Sequence, residues 1–307
     1  MACNIVKSTV RVIPRLDIKG PNLVKGIEFE GNRVLGVAEY FAKTYYEAGA
    51  DELIYQDVVA SLYRRNGLLD IIRKTSKEIF IPLTVVGGIR SVSDIREVLR
   101  AGADKVAINT AAINNPNLIK DASKIFGNQC IVCSIEVYDY KGEYQCWTDY
   151  GREVTNFNAI DWAKQAVDLG AGELLITAIH REGTGKGYDL DLIEQISDAV
   201  SVPIIACGGA GNKNDPSQVI KETSADAVSM ASILHYHYMK PVDTHTMTYN
   251  ESQLRMGMSI DSGNIDFLRE GYGVSKELMV EPCSISSIKE VIEECGIPVR
   301  KFVVGVE

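Results

Sequence analysis

Two glycine pairs lie where a loop could hold a phosphate group. Gly87-Gly88 and Gly208-Gly209 each begin five residues after a proline, at the end of an apolar run. Glycine allows a phosphate close to backbone N–H groups, and the N-terminus of a following helix favours the negative charge. One such pair would indicate only a tight turn. Two equivalent pairs predict two phosphate sites on opposite sides of one binding site, and hence a substrate that is phosphorylated at both ends.

Small polar residues follow the strand that comes after each glycine pair. Asn109, Thr110 and Ala111 follow the first pair, and Ala231 and Ser232 follow the second. The hydroxyl groups of Thr110 and Ser232 are hydrogen-bond donors that suit phosphate oxygens. We expect these residues to complete the two phosphate sites.

The glycine pairs are part of an internal repeat. Segments of the first half recur in the second half in the same order, 119 to 122 residues later. The matched segments are 14–20 with 133–139, 49–58 with 170–179, 82–88 with 203–209, and 103–112 with 225–234. The first match sets Asp17 against Glu136. Four matches in one order indicate a duplicated half rather than chance.

Strand-like and helix-like patterns alternate along each half. Short β-branched runs are typical of buried parallel strands, and the segments between them have helical periodicity, for example 34–49. Four strand–helix units in each half make eight units, and eight parallel strands close into a (β/α)8 TIM barrel, an α/β fold. An open doubly wound sheet is the alternative, but the duplication favours the closed barrel.

The chain is longer than such a barrel requires. A TIM barrel needs about 250 residues, and this chain has 307. We place the surplus at 236–285, as an insertion between the eighth strand and the last helix. We predict a single domain over 1–307, with half-barrels of about 9–125 and 126–307.

Composition excludes several classes of function. A net charge of −9 argues against a general nucleic-acid or membrane-surface binder. No apolar run is long enough to span a membrane, and the first residues lack the apolar core of a signal peptide. Cys130 and Cys133 form a lone CxxC, whereas a structural metal site needs four ligands. We therefore expect a cytoplasmic protein with reduced thiols, no metal and no cofactor.

Five motifs of this chain carry a family resemblance. They are RLDIKGPNLVKG, GADELIYQD, GGIRSVSDIREVLRAGADKVAINTAAINNP, LITAIHREGTGKGYD and PIIACGGAG. They resemble the cyclase subunit of imidazole glycerol phosphate synthase, over about residues 9–235 and the final helix. The resemblance implies a half-barrel duplication with two phosphate sites, which the glycine pairs predict independently.

The resemblance also implies a reaction. Ammonia from a glutaminase subunit would travel through the barrel and add to a bis-phosphorylated ribulosyl-formimino-aminoimidazole-carboxamide nucleotide. The products would be imidazole glycerol phosphate and aminoimidazole carboxamide ribotide. No glutaminase triad is apparent in this chain, so the resemblance implies a heterodimer with a separate glutaminase subunit.

The resemblance assigns roles to residues near the predicted strand ends. Asp17 matches the family's first catalytic aspartate, whose carboxyl group shuttles protons. Glu136 stands at the position of the second, where the extra methylene moves the carboxylate by roughly 1.5 Å. Lys25, Thr177 and Gly183 match substrate-binding positions, Lys25 after the first strand and the other two after the sixth.

Besides Glu136, three further positions depart from the family pattern. Arg15 replaces a small residue beside Asp17, and His180 and Glu182 stand where the family usually has two aspartates. An added arginine and histidine near the pocket would alter which anionic substrate fits. The insertion at 236–285 follows a phosphate-site strand, so it either covers the pocket or is a surface excursion.

Four charged residues begin strands at the opposite end of the predicted barrel: Arg11, Glu52, Lys105 and Glu173. If they point inward, burial requires that they pair, so we expect a closed salt-bridge ring. Such a ring would serve as a stabilising plug. The resemblance implies instead an ammonia gate, with Asp104 facing the glutaminase.

Three functions stay open on the sequence alone. The first is the histidine-pathway cyclase, favoured by Asp17 and both phosphate-site motifs. The second is a paralogous amidotransferase synthase subunit that forms an amidine on a surface-polysaccharide sugar, favoured by Glu136, Arg15, His180 and the insertion. The third is a non-catalytic scaffold that activates a glutaminase, which would leave the carboxylates without a role.

Overall fold

A barrel of parallel strands is the centre of the structure. The computed structural model describes residues 9–59, 68–239 and 279–301. The strands in these ranges are β1 Arg11–Lys19, β2 Asn22–Ile27, β3 Glu30–Val37, β4 Leu53–Asp57, β5 Leu83–Val86, β6 Lys105–Ile108, β7 Ile131–Tyr140, β8 Glu143–Thr148, β9 Glu153–Asn158, β10 Glu173–Ala178, β11 Ile204–Cys207 and β12 Ala227–Met230.

Eight of these strands form a closed ring. The order is β1-β4-β5-β6-β7-β10-β11-β12, and β12 pairs in parallel with β1, which places Ala227 beside Arg11. This closure confirms the predicted (β/α)8 TIM barrel and excludes the open doubly wound sheet. Because β1 and β7 are four strands apart in a ring of eight, the two halves of the repeat begin on opposite sides of the barrel.

Helices cover the outside of the ring. Within the described ranges they are α1 Ala38–Glu47, α2 Leu69–Thr75, α3 Val92–Ala101, α4 Thr110–Asn114, α5 Asn117–Phe126, α6 Ala159–Asp168, α7 Leu190–Ala199, α8 Asp215–Glu222, α9 Ser232–Tyr238 and α10 Ile285–Glu294. In the part of the chain that the structure describes, no helix has the length and apolarity to cross a membrane.

The helix α3 illustrates how the sequence specifies these elements. Its apolar residues Ile95, Val98 and Ala101 recur at helical spacing and are buried against the barrel. Ser91 caps the first turn by accepting a hydrogen bond from the backbone N–H of Asp94. Gly102 ends the helix in the left-handed conformation, which glycine adopts without strain.

In each half of the barrel, an antiparallel hairpin follows the first strand. The pair β2–β3 follows β1, and the pair β8–β9 follows β7. Neither hairpin was predicted from the sequence, and the predicted helix over 34–49 is wrong in its first turn. Residues 34–37 belong to β3, where Val34 and Gly36 pair with β2, so α1 begins only at Ala38.

Apolar side chains fill the inside of the ring as well as its outside. The inner cluster consists of Ile13, Ile54, Val86, Ala107, Val132, Leu175, Ile205, Cys207 and Ala227. On β1, Val12, Leu16 and Ile18 belong instead to the outer layer against the helices. Since strand side chains alternate, positions 11, 13, 15 and 17 of β1 line the interior.

The end of the described chain is tied back to the barrel. Lys289 on α10 donates from Nζ to Asp51 Oδ1 at 2.7 Å and to the carbonyl oxygen of Gly49 at 2.8 Å.

Most of the predicted insertion at 236–285, namely residues 240–278, lies outside the described residues. At its ends, residues 236–238 complete α9, and Ile285 begins α10. The single-domain boundaries stay a prediction.

Candidate active site

Four charged side chains meet at the carboxyl ends of the strands, and we call them the mouth cluster: Arg15, Asp17, Lys25 and Glu182. The Arg15 guanidinium donates to both Asp17 oxygens, from Nε to Oδ1 at 2.9 Å and from Nη2 to Oδ2 at 3.1 Å. Arg15 Nη2 also lies 2.9 Å from Glu182 Oε1. Lys25 Nζ lies 3.4 Å from Asp17 Oδ2 and also donates to Glu182. All four side chains are buried.

The mouth cluster is electrically balanced. Burial alone would lower the pKa of Lys25, but the attraction of Glu182 and then Asp17 raises it. Burial alone would raise the pKa of Glu182, but Arg15 and Lys25 lower it below its ordinary value. The cluster therefore holds two cations and two anions in contact. Lys25 lies on β2 and is not a solvated loop charge.

Glu136 lies on the opposite side of the mouth, on β7, and has a different environment. Its Oε2 accepts a hydrogen bond from the backbone N–H of Gly151 at 3.0 Å. Burial raises its pKa to about 7, although Gly151, Arg15 and the neutral side chain of Gln56 partly offset the rise. A carboxyl group with a pKa near neutrality can both accept and donate a proton during turnover.

Two aromatic rings join the hairpins above the mouth cluster. Phe29, between β2 and β3, stacks on Tyr150, between β8 and β9, with ring centroids 4.1 Å apart. Both residues have positive φ angles, 66° and 59°, a conformation that bulky residues adopt only when their surroundings hold them there. The Arg15 guanidinium carbon lies 5.6 Å from the centroid of the Phe29 ring. The stacked pair thus covers the buried charges, and sequence reasoning missed it.

The first glycine of each pair has a packing role that is the same in both halves. Gly87 and Gly208 have φ angles of 98° and 95°. A Cβ atom on Gly87 would lie 2.7 Å from the carbonyl oxygen of Asp57, and one on Gly208 would lie 2.7 Å from that of Ala178. Gly88 also has a positive φ, and a Cβ on Gly209 would collide with the backbone of a neighbouring loop. Only glycine fits beside these strand ends.

The polar residues predicted to accompany the first pair hold the second hairpin. Asn109 Nδ2 donates to the carbonyl oxygen of Trp147 at 3.1 Å. Thr110 Oγ1 accepts from the backbone N–H of Asp149 at 3.0 Å, which leaves its own proton to donate. Ala111 lies within the first turn of α4. These contacts connect the predicted phosphate site to the loop that carries Tyr150.

The remaining predicted site residues lie at the same end of the barrel. Ala231 precedes α9, and the buried Ser232 begins it. Thr177 pairs in register with Glu136 on one side and with Cys207 on the other. Gly183 packs on the first hairpin, because a Cβ there would lie 2.5 Å from the carbonyl oxygen of Gly26.

His180, directly after β10, is held by contacts to both of its ring nitrogens. Its Nε2 lies 2.8 Å from Asp189 Oδ2, and its Nδ1 accepts from the backbone N–H of Asp139 at 3.3 Å. Tyr144 also donates to Asp189, at 3.0 Å. Because both ring nitrogens are engaged, His180 links the loop after β10 to the second hairpin. The expected effect of Arg15 and His180 on substrate fit stays a prediction.

The opposite end of the barrel carries the ring of charges that we call the gate ring: Arg11, Glu52, Lys105 and Glu173. Arg11 contacts Glu52 at 2.8 Å and Glu173 at 2.6 Å. Lys105 contacts the same two carboxylates at 3.2 Å and 2.8 Å. Each cation therefore bridges both anions in a closed ring. The inner apolar cluster separates this ring from the mouth cluster.

Asp104 has a structural role that recurs in the fold. Its Oδ2 accepts from the backbone N–H of Leu83 at 2.8 Å, and Asp226 accepts from Ile204 at 3.0 Å in the second half. Asp51 similarly accepts from Val12. The repeated G-A-D and S-A-D motifs that contain these aspartates are the signal that could have revealed this role. Asp104 itself is exposed at the rim of the gate end.

Two cysteines of the barrel, Cys133 and Cys207, have buried thiols. Cys133 of the CxxC is buried, and burial raises its pKa. Cys207 accepts a hydrogen bond from Arg15 Nη1 at 3.0 Å, and burial raises its pKa as well. Among the residues that the structure describes, no three potential metal ligands converge.

Sequence comparison finds relatives that span most of the barrel. Residues 11–240 match a family model described as histidine biosynthesis protein. The chain is 56% identical over 205 residues to the imidazole glycerol phosphate synthase subunit HisF of Legionella pneumophila, an alignment that covers 66% of this chain and 97% of the relative. Proteins of the same name from Exiguobacterium sp. and Methanocaldococcus jannaschii are 48% and 45% identical, over 73% and 74% of this chain and 88% and 91% of their own lengths.

Proposed function

The chain belongs to the histidine biosynthesis protein family, and from this premise we propose that it is the cyclase subunit of an imidazole glycerol phosphate synthase. It adds ammonia to the bis-phosphorylated formimino-aminoimidazole-carboxamide ribulosyl nucleotide and yields imidazole glycerol phosphate, aminoimidazole carboxamide ribotide and one water molecule. The observation that carries the proposal is the pair of buried carboxyl groups, Asp17 and Glu136, at equivalent positions of opposite half-barrels.

The chemistry of ammonia addition suits this pair. When neutral ammonia attacks an electrophilic carbon, its nitrogen becomes cationic and must lose a proton. A fixed carboxylate stabilises the developing positive charge, and a carboxyl group with a pKa near neutrality moves the proton. Asp17 and Glu136 have these two properties, since Asp17 contacts cations and the pKa of Glu136 is about 7.

The two glycine pairs support binding of a substrate with a phosphate at each end. The mouth cluster contains as many anions as cations, so it offers no net charge to a phosphate group. We therefore assign the phosphates to the loops of Gly87-Gly88 and Gly208-Gly209. Asn109, Thr110 and Ala111 serve the first, and Ala231 and Ser232 the second. Lys25, Thr177 and Gly183 line the space between the two phosphates.

We assign delivery of ammonia to the gate end. A glutaminase subunit docks there to form a heterodimer, and ammonia passes the gate ring and the inner apolar cluster as a neutral molecule. A surface cleft of about 360 Å³ at this end is lined by Phe80, Pro82 and Asp104. Phe80 is 79% exposed. Aromatic side chains are enriched at protein interfaces, so the exposed Phe80 ring supports docking of a partner at this end.

One observation favours a second candidate. The Arg15 guanidinium fills space between Asp17 and Glu182 in the mouth, where the family pattern has a small residue. A paralogous subunit that forms an amidine on a surface-polysaccharide sugar would use the same channelled ammonia on a different substrate. Arg15 would then help to select that substrate.

The test is turnover of the histidine-pathway nucleotide by purified protein with excess ammonium at alkaline pH, which requires no glutaminase. We expect loss of the nucleotide, and Asp17→Asn and Glu136→Gln should each lower the rate by about 100-fold or more. The exposed carboxylates provide matched controls, so Asp121→Asn and Glu143→Gln should keep the rate. Absence of turnover by well-folded protein would contradict the proposal and direct the search to amidated sugars.

A further inference from the structure

The phenol group of Tyr150 is buried in the mouth of the barrel. Tyr150 is 6% exposed, and its hydroxyl oxygen has no hydrogen-bond partner among the described residues. Buried hydroxyl groups normally have a partner, because leaving one unpaired costs free energy. An aromatic stack alone does not need this oxygen, since phenylalanine supplies the same ring. The hydroxyl is therefore available for a contact with another molecule.

The carboxyl groups around this hydroxyl already have hydrogen-bond donors. Four charged or titratable residues of the mouth face it: Asp17, Arg15, Glu182 and Glu136. The Arg15 guanidinium donates to both oxygens of Asp17, and Lys25 donates to Glu182. Glu136 accepts from the backbone N–H of Gly151. The Tyr150 hydroxyl thus faces the carboxyl groups of both half-barrels without being needed by either.

Contacts to the ring hold Tyr150 in this position. The ring stacks on Phe29 with centroids 4.1 Å apart, and the guanidinium carbon of Arg152 lies 5.8 Å from its centroid. Gly151 permits the stack, because a Cβ atom there would lie 2.8 Å from Cδ2 of Phe29. The φ angle of Tyr150 is 59°, a strained conformation that persists only where the surroundings impose it. Such strain is concentrated at functional sites.

The residues on either side of Tyr150 connect it to the predicted site. The backbone N–H of Asp149 donates to Thr110 Oγ1 at 3.0 Å, beside the first predicted phosphate site. The backbone N–H of Gly151 donates to Glu136 Oε2 at 3.0 Å. The hydroxyl is therefore held at a fixed place relative to both Thr110 and Glu136, where the reacting part of a bound substrate would lie.

The proposed reaction needs a hydrogen-bond donor at such a place. It consumes ammonia and releases water, and the oxygen of that water comes from the substrate, since ammonia has none. As the ammonia lone pair forms the C–N bond, the π electron pair of the substrate C=O bond moves to the oxygen. A carboxylate only accepts hydrogen bonds, whereas a fixed O–H group stabilises this developing negative charge. Burial raises the pKa of the Tyr150 hydroxyl well above its ordinary value, so it stays protonated.

We propose that Tyr150 is a catalytic residue whose hydroxyl donates a hydrogen bond to the carbonyl oxygen of the carbon that ammonia attacks. This inference rests on the proposed cyclase function. After the C–N bond has formed, the nitrogen gives up two protons and the oxygen gains two. The C–O bond then breaks, water leaves, and a C=N bond remains. Tyr150 keeps its own proton throughout and ends the turnover unchanged.

Ammonium-driven turnover of the histidine-pathway nucleotide tests the inference. Tyr150→Phe keeps the ring and its stack on Phe29 and removes only the hydroxyl. We expect kcat to fall by about 100-fold, because the oxygen bears its charge in the transition state. KM for the nucleotide should stay within about 3-fold of the wild-type value. Tyr140, at the end of β7, is 48% exposed and provides the matched control, so Tyr140→Phe should keep kcat.

Stability separates this role from a structural one. The Tyr144 hydroxyl has a protein partner, Asp189, to which it donates at 3.0 Å. Tyr144→Phe should therefore lower the midpoint of urea denaturation, whereas Tyr150→Phe should leave the midpoint unchanged.

Three results for Tyr150→Phe would overturn the inference and leave the cyclase function intact. They are a wild-type kcat, a loss confined to KM, and a lowered urea midpoint, which would indicate a structural hydroxyl. Lack of any turnover by the well-folded wild type would overturn the cyclase function and the inference together.

Discussion

The mouth cluster and the gate ring contain the same charges in different settings. Each has two cations and two carboxylates, and β1 supplies an arginine to both. In the gate ring, Arg11 and Lys105 are 23% and 19% exposed. In the mouth cluster, Arg15 and Lys25 are 1% and 2% exposed, beneath the stacked hairpin aromatics. The cations of the gate ring are therefore partly accessible to water, whereas those of the mouth cluster are not.

This difference suits the two ends to different tasks. A salt bridge that water can reach is weak and can open and close at little cost in free energy. A buried one is costly to break, because the charge left behind has no solvent. The gate ring is thus suited to admit a small molecule, and the mouth cluster is suited to hold charges in fixed positions around a reaction.

The largest effect on stability should come from removing Arg15. Arg15→Met leaves Asp17 and Glu182 with Lys25 as their shared cation, so we expect the free energy of unfolding to fall by about 3–5 kcal/mol. Urea denaturation monitored by circular dichroism measures the change. The exposed Arg100 on α3 is the matched control, and Arg100→Met should change stability by less than about 0.5 kcal/mol. A loss no greater than in the control would show that the mouth charges are solvated.

Glu136→Gln should have the next largest effect, and it should stabilise the protein. The folded pKa of about 7 lies above the unfolded value of about 4.3, so the folded state binds a proton more tightly. The favourable contribution of Glu136 to the free energy of unfolding is fully present below pH 4, and it is lost as the pH rises to 7. At pH 8, Glu136→Gln should therefore be more stable than the wild type by about 3 kcal/mol, with little difference at pH 4.

Denaturation at pH 4 and pH 8 measures this contrast. The exposed Glu143 on β8 provides the control, because Glu143→Gln should leave the pH dependence of stability unchanged. Equal stability of Glu136→Gln and wild type at both pH values would contradict the burial of an ionisable Glu136.

Removal of a gate-ring cation should have a smaller effect. Lys105→Met leaves both carboxylates bound to Arg11, whose side chain is 23% exposed, so we expect a loss of about 1–2 kcal/mol. The exposed Lys120 on α5 is the control for losing a lysine. A loss equal to that of Arg15→Met would mean that the two clusters do not differ in solvation.

The smallest effect on stability should follow removal of the Tyr150 hydroxyl. Its oxygen is buried and has no hydrogen-bond partner within the described residues. Tyr150→Phe keeps the stack on Phe29 and should change the free energy of unfolding by less than about 1 kcal/mol. Urea denaturation measures the change, with Tyr140→Phe as the control. A larger loss for Tyr150→Phe than for the control would show that the hydroxyl has a partner in the folded protein.

The sequence predicted the barrel because its signals are repeated and local. Two glycine pairs and two strands with acidic residues at matching positions indicated a duplication, and the duplication implied eight units. The charges of the gate ring were also predictable, since Arg11, Glu52 and Lys105 each stand at the start of an apolar strand. Alternation along a strand then determines which side chains enter the barrel.

Local sequence signals of this kind could not predict the contacts that distinguish the mouth. Arg15 and Glu182 are far apart in the chain, and nothing local to either residue indicates their contact. The stack of Phe29 on Tyr150 depends on two hairpins, one of which contains residues with a helical pattern at 34–37. Strand pairing overrode that pattern. The contacts of His180 were not predicted either, since one partner, Asp139, lies on β7 and the other, Asp189, directly precedes α7.

The most direct test of the account is the pH dependence of ammonium-driven turnover of the histidine-pathway nucleotide, at constant free ammonia, for the wild type and Glu136→Gln. We expect the wild-type rate to rise through a single midpoint near pH 7, the pKa of Glu136, and Glu136→Gln to lose both the midpoint and about 100-fold or more of the rate. A Glu136→Gln variant that keeps the wild-type rate and midpoint would contradict it.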